Sequence, residues 1–408
     1  MSAGFDFRQV AERGEEIVAA IGALREADAI SWNESVRGWM VARYADVLEG
    51  FSGRLPLSSA RYFAKMFRDI PEEERRSRYP LLHSVIPGMI VNSDPPQHTR
   101  LRRLLVRAFG PKVVEAVRPY ARSTIAQVLD GIAPREQVEF VGEVGRAITG
   151  RVIMRMLGVS EEHLAHLHRW SIGISTAMAH PQPTRAYLDA GEQVLAELHA
   201  LFAAEVAERR RAPRGDFLSE LVLARDGSDS MSEAEILGTC VVTLLAGHDS
   251  TTNTMTFGTV ALLRDPAARE VVLAHPERLG ASIVELMRYI AMSTTMVRIA
   301  TEDFTWQGKS IRKGDLVYLL IAGANRDPRY FANPETFDPQ RTEDVPMTFG
   351  PGLHHCIGHL LARMQLAEFF PAFLQRFPQA RVVDEKLRYT PILGFRGLET
   401  LQVALRGG

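Results

Sequence analysis

The stretch FGPGLHHCIGHLLAR, residues 349–363, places a cysteine among glycines and histidines. Gly350, Gly352 and Gly358 surround Cys356, and helical periodicity begins directly after it. Glycines let a backbone approach a flat ligand without side-chain clashes, and the N-terminus of a following helix stabilises a thiolate. A buried free cysteine, common in protein cores, is the alternative. The glycine, histidine and phenylalanine frame favours a functional thiolate over that alternative.

This loop resembles the cysteine-ligand loop of the cytochrome P-450 superfamily, whose pattern is Phe-Gly-x-Gly-x-His-x-Cys-x-Gly. Every position of the pattern is matched here, by Phe349, Gly350, Gly352, His354, Cys356 and Gly358. The resemblance implies a mainly α fold with a small antiparallel β region. It also implies haem b (iron-protoporphyrin IX) as the cofactor, with Cys356 as its axial ligand and Phe349 beside it. An axial thiolate pushes electron density onto the iron and favours cleavage of the O–O bond.

The composition is that of an ordinary globular protein. Of the 408 residues, 46% are apolar and 24% are charged, and the net charge is −1. These values exclude a disordered chain and favour neither nucleic acid nor a membrane as a partner. Because the two cysteines, Cys240 and Cys356, lie far apart, a disulfide framework is not expected and a reducing compartment is favoured. Neither a signal peptide nor a membrane span is recognisable, so a soluble cytoplasmic protein is expected.

Helical periodicity dominates the chain. Helices are predicted over residues 98–109, 112–132, 138–157, 160–178, 184–211, 232–263, 266–275, 278–291 and 358–376. Alternation, with turns at Gly308 and Gly314, predicts a small antiparallel sheet over 295–321, and 398–406 predicts a further strand. The long irregular segment 331–352 is of a kind that is usually functional or disordered. Since no repeat or flexible linker is found, one monomeric domain over residues 1–408 is predicted.

A second motif is SIVELMRY, which places Glu285 and Arg288 on one face of a predicted helix. Taken alone, this is an everyday surface ion pair. It resembles the Glu-x-x-Arg motif of the family, which pairs with an arginine of the irregular segment. The stretch FDPQR offers Arg341 for that role, although Thr342 stands where the family usually has Phe. The resemblance implies a structural role, in which the three residues hold the loop that presents Cys356.

A third motif is SDPPQHTRLRRLLVRAF, a predicted helix that starts at Asp94 with prolines in its first turn. His98 and Arg102 lie about 40° apart on its helical wheel. A solvated helix face is the simplest interpretation of such a pair. The resemblance instead implies that His98 and Arg102 bind the haem propionates. It adds Arg298, on the first predicted strand, and His354 to the same task.

The opposite face of this predicted helix carries a basic stripe, Arg100, Arg103 and Arg107. A solvated surface is again the simplest interpretation. No reductase domain is recognisable in the chain, so electrons are expected from a separate ferredoxin and its reductase. The stripe is predicted to face an acidic ferredoxin.

The stretch LLAGHDSTTN lies in the middle of a long predicted helix. Ala246 and Gly247 are small, so a diatomic ligand and a substrate could come close. A polar run in mid-helix conflicts with burial unless it has partners or a task, and a kink with back-bonded hydroxyls is the alternative. The run resembles the family's oxygen-activation motif, which implies catalytic roles for Asp249, Ser250 and Thr251 and places Ala246 beside the cofactor. Ser250 stands where the family usually has Thr, and serine lacks the β-methyl that restricts the rotamer.

Family position also predicts which residues shape the substrate pocket. Most of them would be core residues in any fold, and as a set they indicate an apolar cavity with a few hydroxyls. They do not name a substrate. They are Val85, Met89, Val242, Leu245, Thr294, Thr295, Val297 and Leu393.

Three functions remain open at this point. The main hypothesis is a haem-thiolate monooxygenase that inserts one oxygen atom from O₂ into a small, largely apolar organic substrate in secondary metabolism or catabolism. The second keeps the fold but performs oxidative coupling, peroxide-driven oxidation or oxidation of a carrier-bound substrate. The third is a non-enzymatic haem electron carrier or gas sensor. Asp249 with a hydroxyl at 250 argues against a dedicated peroxide user. It also argues against the third hypothesis, since neither electron transfer nor gas sensing needs proton delivery.

Overall fold

The protein folds mainly as α-helices. A computed structural model describes residues 5–60, 67, 70–179, 184–342 and 346–406, apart from the side chain of Arg107. The α-helices in these ranges are α1 (Val10–Arg13), α2 (Ile17–Ala27), α3 (Tyr44–Phe51), α4 (Glu72–Arg78), α5 (Pro80–Val85), α6 (Gln97–Ala108), α7 (Pro111–Ile132), α8 (Ala147–Leu157), α9 (Leu164–Ala179), α10 (Arg185–Arg211), α11 (Phe217–Leu223), α12 (Glu233–Arg264), α13 (Pro266–Ala274), α14 (Leu279–Ile290), α15 (Ile321–Ala324) and α16 (His359–Arg376).

The strands are short and form small sheets. They are β1 (Ile30–Asn33), β2 (Gly38–Val41), β3 (Leu57–Ser58), β4 (Gln137–Glu139), β5 (Met296–Ala300), β6 (Phe304–Trp306), β7 (Lys309–Ile311), β8 (Leu316–Leu319), β9 (Arg381–Val382), β10 (Arg388–Tyr389), β11 (Leu398–Thr400) and β12 (Gln402–Ala404). The largest sheet has the order β1-β2-β8-β5-β3. Its β5–β8 pair is antiparallel and its β2–β8 pair is parallel. The mainly α fold with a small β region is therefore confirmed, with one parallel pair added.

The antiparallel region predicted over 295–321 is confirmed, but as two separate pairs, β5–β8 within the largest sheet and the β6–β7 hairpin in a sheet of its own. It contains β5 to β8, and both predicted turn glycines adopt a positive φ, +73° at Gly308 and +89° at Gly314. Left-handed backbone of this kind is open to glycine at little cost. The strand predicted at 398–406 is two strands, since β11 pairs with β10 and β12 lies between β4 and β9.

Eight of the nine predicted helices begin and end close to the predicted residues, and the prediction over 138–157 is wrong in its first half. There β4 is followed by a π-helical turn, Val141–Arg146, and only then by α8. The carboxylate of Glu139 accepts hydrogen bonds from the backbone N–H groups of Val141 (3.0 Å) and Gly142 (2.7 Å). That local bond ends the strand and starts the turn, which periodicity alone does not reveal.

The described chain comprises two compact units. The first takes residues 1–57, 118–149 and 250–408, and the second takes 58–117 and 150–249. The chain passes from one to the other four times, within β3, α7, α8 and α12. A single domain over residues 1–408 stays a prediction.

The core of the first unit anchors the segment that leads to the cysteine loop. Met347 is 3% exposed and belongs to a cluster with Leu319, Ile321 and Phe331. Burial of such side chains stabilises by about 1.5–3 kcal/mol each. The start of the loop is thus fixed to the β8–α15 region. In the ranges described, no helix is both long and apolar enough to cross a membrane.

The second unit is built around α10. This helix packs against α5, α9 and α11. Its buried side chains, Leu195, Leu198 and Phe202, recur at helical spacing. This packing fixes the position of α9, whose buried face carries the polar side chain of Ser171.

Candidate active site

The loop that carries Cys356 depends on its glycines. Gly350 and Gly352 have φ values of +68° and +75°. A Cβ on Gly352 would lie 2.7 Å from the carbonyl oxygen of Phe51. The backbone N–H of Cys356 donates to the carbonyl of Phe349 over 2.8 Å and closes the loop. A side chain at Gly352 would push the loop off α3, so the residue pattern fixes the position of the thiol.

The surroundings of Cys356 fit a flat, thiolate-bound group. Cys356 is exposed, and α16 begins at His359, just beyond it. The nearest heavy atom to a Cβ built on Gly358 would be Cys356 Sγ, at 4.0 Å. The thiol therefore lies beside a glycine, which has no side chain to cover it, and next to a helix N-terminus. The partial positive charge there stabilises a thiolate.

Cys240 presents the opposite case. Its side chain is 0% exposed, in the core of α12, and burial raises the pKa of its thiol. A buried thiol of this kind is a small hydrophobic group and not a ligand. Of the two thiols, only that of Cys356 fits a metal-bound role.

Two further predicted cofactor residues lie near this loop in the first unit. Arg298, on β5, places its guanidinium 5.3 Å from the centroid of Phe51 and donates to the carbonyl of Val297 over 2.9 Å. Phe51 is also the residue whose carbonyl faces Gly352. His354 is half-buried within the loop itself. The cation–π contact places the guanidinium of Arg298 next to Phe51, the residue that the glycine loop approaches.

The structure brings Glu285, Arg288 and Arg341 together, all nearly buried. Arg288 donates to both carboxylate oxygens of Glu285, over 2.6 and 2.9 Å. Arg341 Nε lies 3.2 Å from Glu285 Oε2. The side chains are 1%, 4% and 6% exposed for Arg288, Glu285 and Arg341. This burial sets the pair apart from an ordinary surface ion pair.

Asn325 connects this ion-pair cluster to the cysteine loop, and it was not predicted. Its carbonyl accepts a hydrogen bond from Arg288 Nη1 over 2.8 Å. Its side-chain oxygen accepts from the backbone N–H of Met347 over 2.7 Å, and its amide nitrogen donates to Thr348 Oγ1 over 3.3 Å. A buried amide at the end of an apolar run, IAGAN, was the available signal, because such a group must be hydrogen-bonded.

The other two predicted propionate-binding residues belong to the second unit. His98 is 1% exposed and Arg102 is half-buried one turn later on α6. The helix begins at Gln97, so Asp94 is not its N-cap as predicted. Asp94 instead accepts hydrogen bonds from the backbone N–H of Ser59, over 2.9 Å, and from the hydroxyl of Ser58. Through these bonds the carboxylate anchors the segment before α6. Pro95 and Pro96 separate Asp94 from the first residue of the helix.

The basic stripe on α6 is compensated within the chain. Arg100 forms ion pairs with Asp229 and Glu235, and Arg103 lies 3.0 Å from Asp226. The side chain of Arg107 is outside the description. Compensated cations attract an acidic partner weakly, so the geometry gives no support to the predicted ferredoxin face at Arg100 and Arg103.

The predicted oxygen-activation residues lie along α12, an unbroken helix in the structure. Ala246 is exposed, whereas a Cβ on Gly247 would lie 2.5 Å from Ile153 Cδ1. Close packing of α12 on α8 thus accounts for Gly247, not ligand access. Ser250 is half-buried and Thr251 is 3% exposed.

Backbone bonding accounts for much of the polar run. Thr254 Oγ1 donates to the carbonyl of Ser250 over 2.8 Å, and Thr256 Oγ1 donates to that of Thr252 over 2.9 Å. The hydroxyls of Thr149 and Thr252 lie 2.7 Å apart. The back-bonded alternative is therefore correct for the later threonines, and it leaves Asp249, Ser250 and Thr251 as candidates for a chemical task.

The residues predicted for the substrate pocket divide between the units. In the first, the hydroxyl of Thr294 donates to the carbonyl of Leu393, and Thr295 donates to that of Leu319 over 3.2 Å. Both threonines are buried, so their hydroxyls stabilise the fold. Val297 is half-buried on β5.

In the second unit, the predicted pocket residues are apolar. Val85 and Met89 are 2% and 0% exposed. Val242 and Leu245 are half-buried on α12. As a set, these residues are apolar and carry no hydroxyl.

A mainly helical fold with an exposed cysteine on a glycine loop is the arrangement that the resemblance to haem-thiolate proteins predicts. The cytochrome P-450 family model matches residues 57–395, and the chain belongs to this family. It is 31% identical over 366 residues to the biotin biosynthesis cytochrome P-450 of Bacillus subtilis (strain 168), covering 90% of each chain. It is 33% identical over 395 residues to the mycinamicin IV hydroxylase/epoxidase of Micromonospora griseorubida, covering 94% of each.

Solved structures agree with this assignment. The crystal structure of the cytochrome P-450 BioI, in complex with an acyl carrier protein ligated to hexadec-9Z-enoic acid, matches with a TM-score of 0.87 and 29% identity. The match covers 97% of this chain and 99% of that one. The resemblance found in the sequence is confirmed, and the protein is a cytochrome P-450 monooxygenase.

Proposed function

We propose that this protein is a haem b monooxygenase in which Cys356 is the axial ligand and an apolar molecule of secondary metabolism is the substrate. The exposed thiol of Cys356 on its glycine loop carries the proposal. When bound, the haem supplies the iron at which O₂ is activated, and an axial thiolate donates electron density to it. Phe349 and Ala246 are proposed to border the haem.

Four side chains are proposed to hold the haem propionates: His98, Arg102, Arg298 and His354. Guanidinium and imidazole N–H groups make charge-assisted hydrogen bonds with carboxylates. The contact of Arg298 with Phe51 supports the assignment of Arg298, because it places the guanidinium close to the cysteine loop.

Asp249, Ser250 and Thr251 are proposed to deliver protons. Asp249 is the acid, and the neighbouring Ser250 hydroxyl is the relay. A positioned acid of this kind contributes about 10²–10⁴-fold to a rate. Thr251, 3% exposed, is the second hydroxyl available for the relay.

Ser250→Ala is expected to raise the share of electrons released as hydrogen peroxide several-fold, with haem content and substrate affinity nearly unchanged. The reason is that, without the relay, the two-electron-reduced oxygen takes up its two protons without being split and leaves as hydrogen peroxide, instead of losing one atom as water. Ser250→Thr is expected to couple at least as well as the wild type, because the β-methyl restricts the rotamer. The measurement is product formed per NAD(P)H consumed. Normal coupling in Ser250→Ala would transfer the relay role to Thr251, water or the substrate.

The substrate and the redox partner are proposed from the pocket and the family. The apolar side chains of Val85, Met89, Val242 and Leu245 favour an apolar molecule. A ferredoxin with its reductase is proposed as the electron donor to a monomeric, cytoplasmic enzyme. The test is a compound screen by the low-to-high spin shift of the ferric protein. Turnover of a hit under ¹⁸O₂ with a ferredoxin system should place one labelled atom in the product, and the absence of label would contradict the proposal.

Oxidation of a carrier-bound substrate is the second candidate. It is favoured by the likeness to the structure of BioI with its acylated carrier protein. The two candidates are separated by offering one acyl chain as the free acid and as the carrier thioester. A spin shift with the thioester alone would establish the carrier-bound function.

A further inference from the structure

Helix α9 buries one hydroxyl in an otherwise apolar stripe. Leu167, Trp170 and Ile174 are 1%, 3% and 0% exposed, at the spacing of one helix face. Ser171 lies on this face and is 0% exposed. Burial of a hydroxyl costs free energy unless the hydroxyl is hydrogen-bonded, so Ser171 requires a partner.

The partner of Ser171 is the carboxylate of Asp249. The Ser171 hydroxyl donates to Asp249 Oδ2. The other oxygen, Oδ1, lies 3.6 Å from Nε2 of His248, whose side chain is 1% exposed. Hydrogen bonds from a hydroxyl to a carboxylate belong to the strong, charge-assisted class. Asp249 itself is 38% exposed, so a partly solvated carboxylate is tied to a fully buried donor.

We propose that Ser171 is a positioning residue that holds Asp249 in the orientation from which it delivers protons. This inference rests on the proposed role of Asp249 as the acid. A carboxylate on a helix has several side-chain rotamers, and a bond from one oxygen to a hydroxyl fixed in the core selects one of them. General acid help requires hydrogen-bond reach, and a displacement of about 1 Å lowers a rate about 10²-fold.

The hydroxyl is itself well fixed. Trp170, the preceding residue, donates from Nε1 to Glu197 Oε2 over 2.8 Å. Arg169 Nη1 donates to Glu197 Oε1 over 2.9 Å. Since Glu197 belongs to α10, two bonds tie this turn of α9 to its neighbour. Ser171 therefore offers Asp249 a donor whose position does not depend on the carboxylate.

If Ser171 had a purely structural role, its substitution would change the activities differently from the loss of a positioning role. Loss of packing at Ser171 would lower every activity of the enzyme. Loss of proton delivery would lower mainly turnover that starts from O₂. Hydrogen peroxide brings its oxygen atoms already reduced and carries both protons, so turnover driven by peroxide needs no proton from solvent. One proton must still pass from one peroxide oxygen to the other before water leaves, and a water molecule can carry it, so the acid is expected to matter far less there. The ratio of the two rates separates the roles.

The experiment compares Ser171→Ala, Asp249→Ala and the double variant in the haem-loaded protein. Ser171→Ala is expected to lower the O₂-driven product rate by about 10- to 100-fold, to release more peroxide and to keep the peroxide-driven rate within about twofold. The double variant is expected to be no slower than Asp249→Ala, because the two residues act through one group. Ser77→Ala is the control, since the exposed Ser77 hydroxyl bonds the Glu73 carbonyl over 2.8 Å and touches no carboxylate.

A readout without catalysis completes the test. Ser171→Ala should lower the urea midpoint of unfolding, and this shift should shrink in the Asp249→Ala background. Equal losses of O₂-driven and peroxide-driven rates in Ser171→Ala would overturn the inference. Loss of coupling in Asp249→Ala together with normal coupling in Ser171→Ala would also overturn the inference. In that case the proposed role of Asp249 as the acid would still hold. Full coupling in Asp249→Ala would show that Asp249 is not the acid.

Discussion

Cys356→Ser is expected to abolish the strongly red-shifted Soret band that reduced haem-thiolate proteins show with carbon monoxide. A serine hydroxyl cannot replace the thiolate, because its oxygen stays protonated at neutral pH and donates far less electron density. The effect should be complete, whereas losses at positioning residues are graded. The measurement is the reduced, carbon monoxide difference spectrum at equal protein concentration.

Cys240→Ser is the matched control, with the same change at the other cysteine. Cys240 is 0% exposed, so the variant loses about 1–3 kcal/mol of stability at most from a buried hydroxyl. It should keep the red-shifted band. Retention of that band in Cys356→Ser would show that Cys356 is not the ligand, and its loss in both variants would indicate unfolding.

The fold was largely predictable where the periodicity is long. Helices α10, α12 and α16 span many turns, so their apolar spacing can be recognised even where the first and last residues of the helix are not known. The region before residue 93 was not predicted, although it holds α2 and the β1–β2 hairpin. Its strands are four residues each, too short for a period to be recognised. The parallel β2–β8 pair could not be foreseen, because it joins residues far apart in sequence.

The candidate site was predictable residue by residue only where a motif carried it. Cys356, Glu285 and Arg341 were found by resemblance, and the structure adds the burial that gives the last two their energetic weight. Asn325 and Ser171 were missed because neither belongs to a motif that the sequence analysis singled out. Their partners lie on other elements, and only tertiary structure identifies them.

Arg288→Ala is expected to yield little or no haem-loaded protein. Its guanidinium donates to Glu285 and to the carbonyls of Asn325 (2.8 Å), Pro334 (2.8 Å) and Thr336 (3.0 Å). Removal leaves Glu285 as a buried carboxylate with Arg341 as its remaining cation, and three carbonyls lose a donor. Breaking a buried pair of this kind costs about 3–5 kcal/mol, against a total stability of about 5–15 kcal/mol for a typical protein. Purified yield and the haem-to-protein absorbance ratio measure the effect.

Arg13→Ala is the matched control for this prediction. Arg13 and Glu16 also lie three residues apart, but they are 39% and 55% exposed. An exposed pair is worth about 0–1 kcal/mol, so this variant should bind haem like the wild type. Because both variants remove an arginine from an i, i+3 pair, the difference between them measures burial together with the three backbone hydrogen bonds of Arg288.

The reason that Arg288 should affect haem loading, and not stability alone, lies in its path to the cysteine. Arg288 bonds the Asn325 carbonyl, and the Asn325 side chain bonds the backbone of Met347 and the hydroxyl of Thr348. Arg288→Lys keeps the charge but not the fork of donors, so it should fold and still load haem poorly. A soluble, haem-replete and active Arg288→Ala protein would show that the loop holds Cys356 without this path.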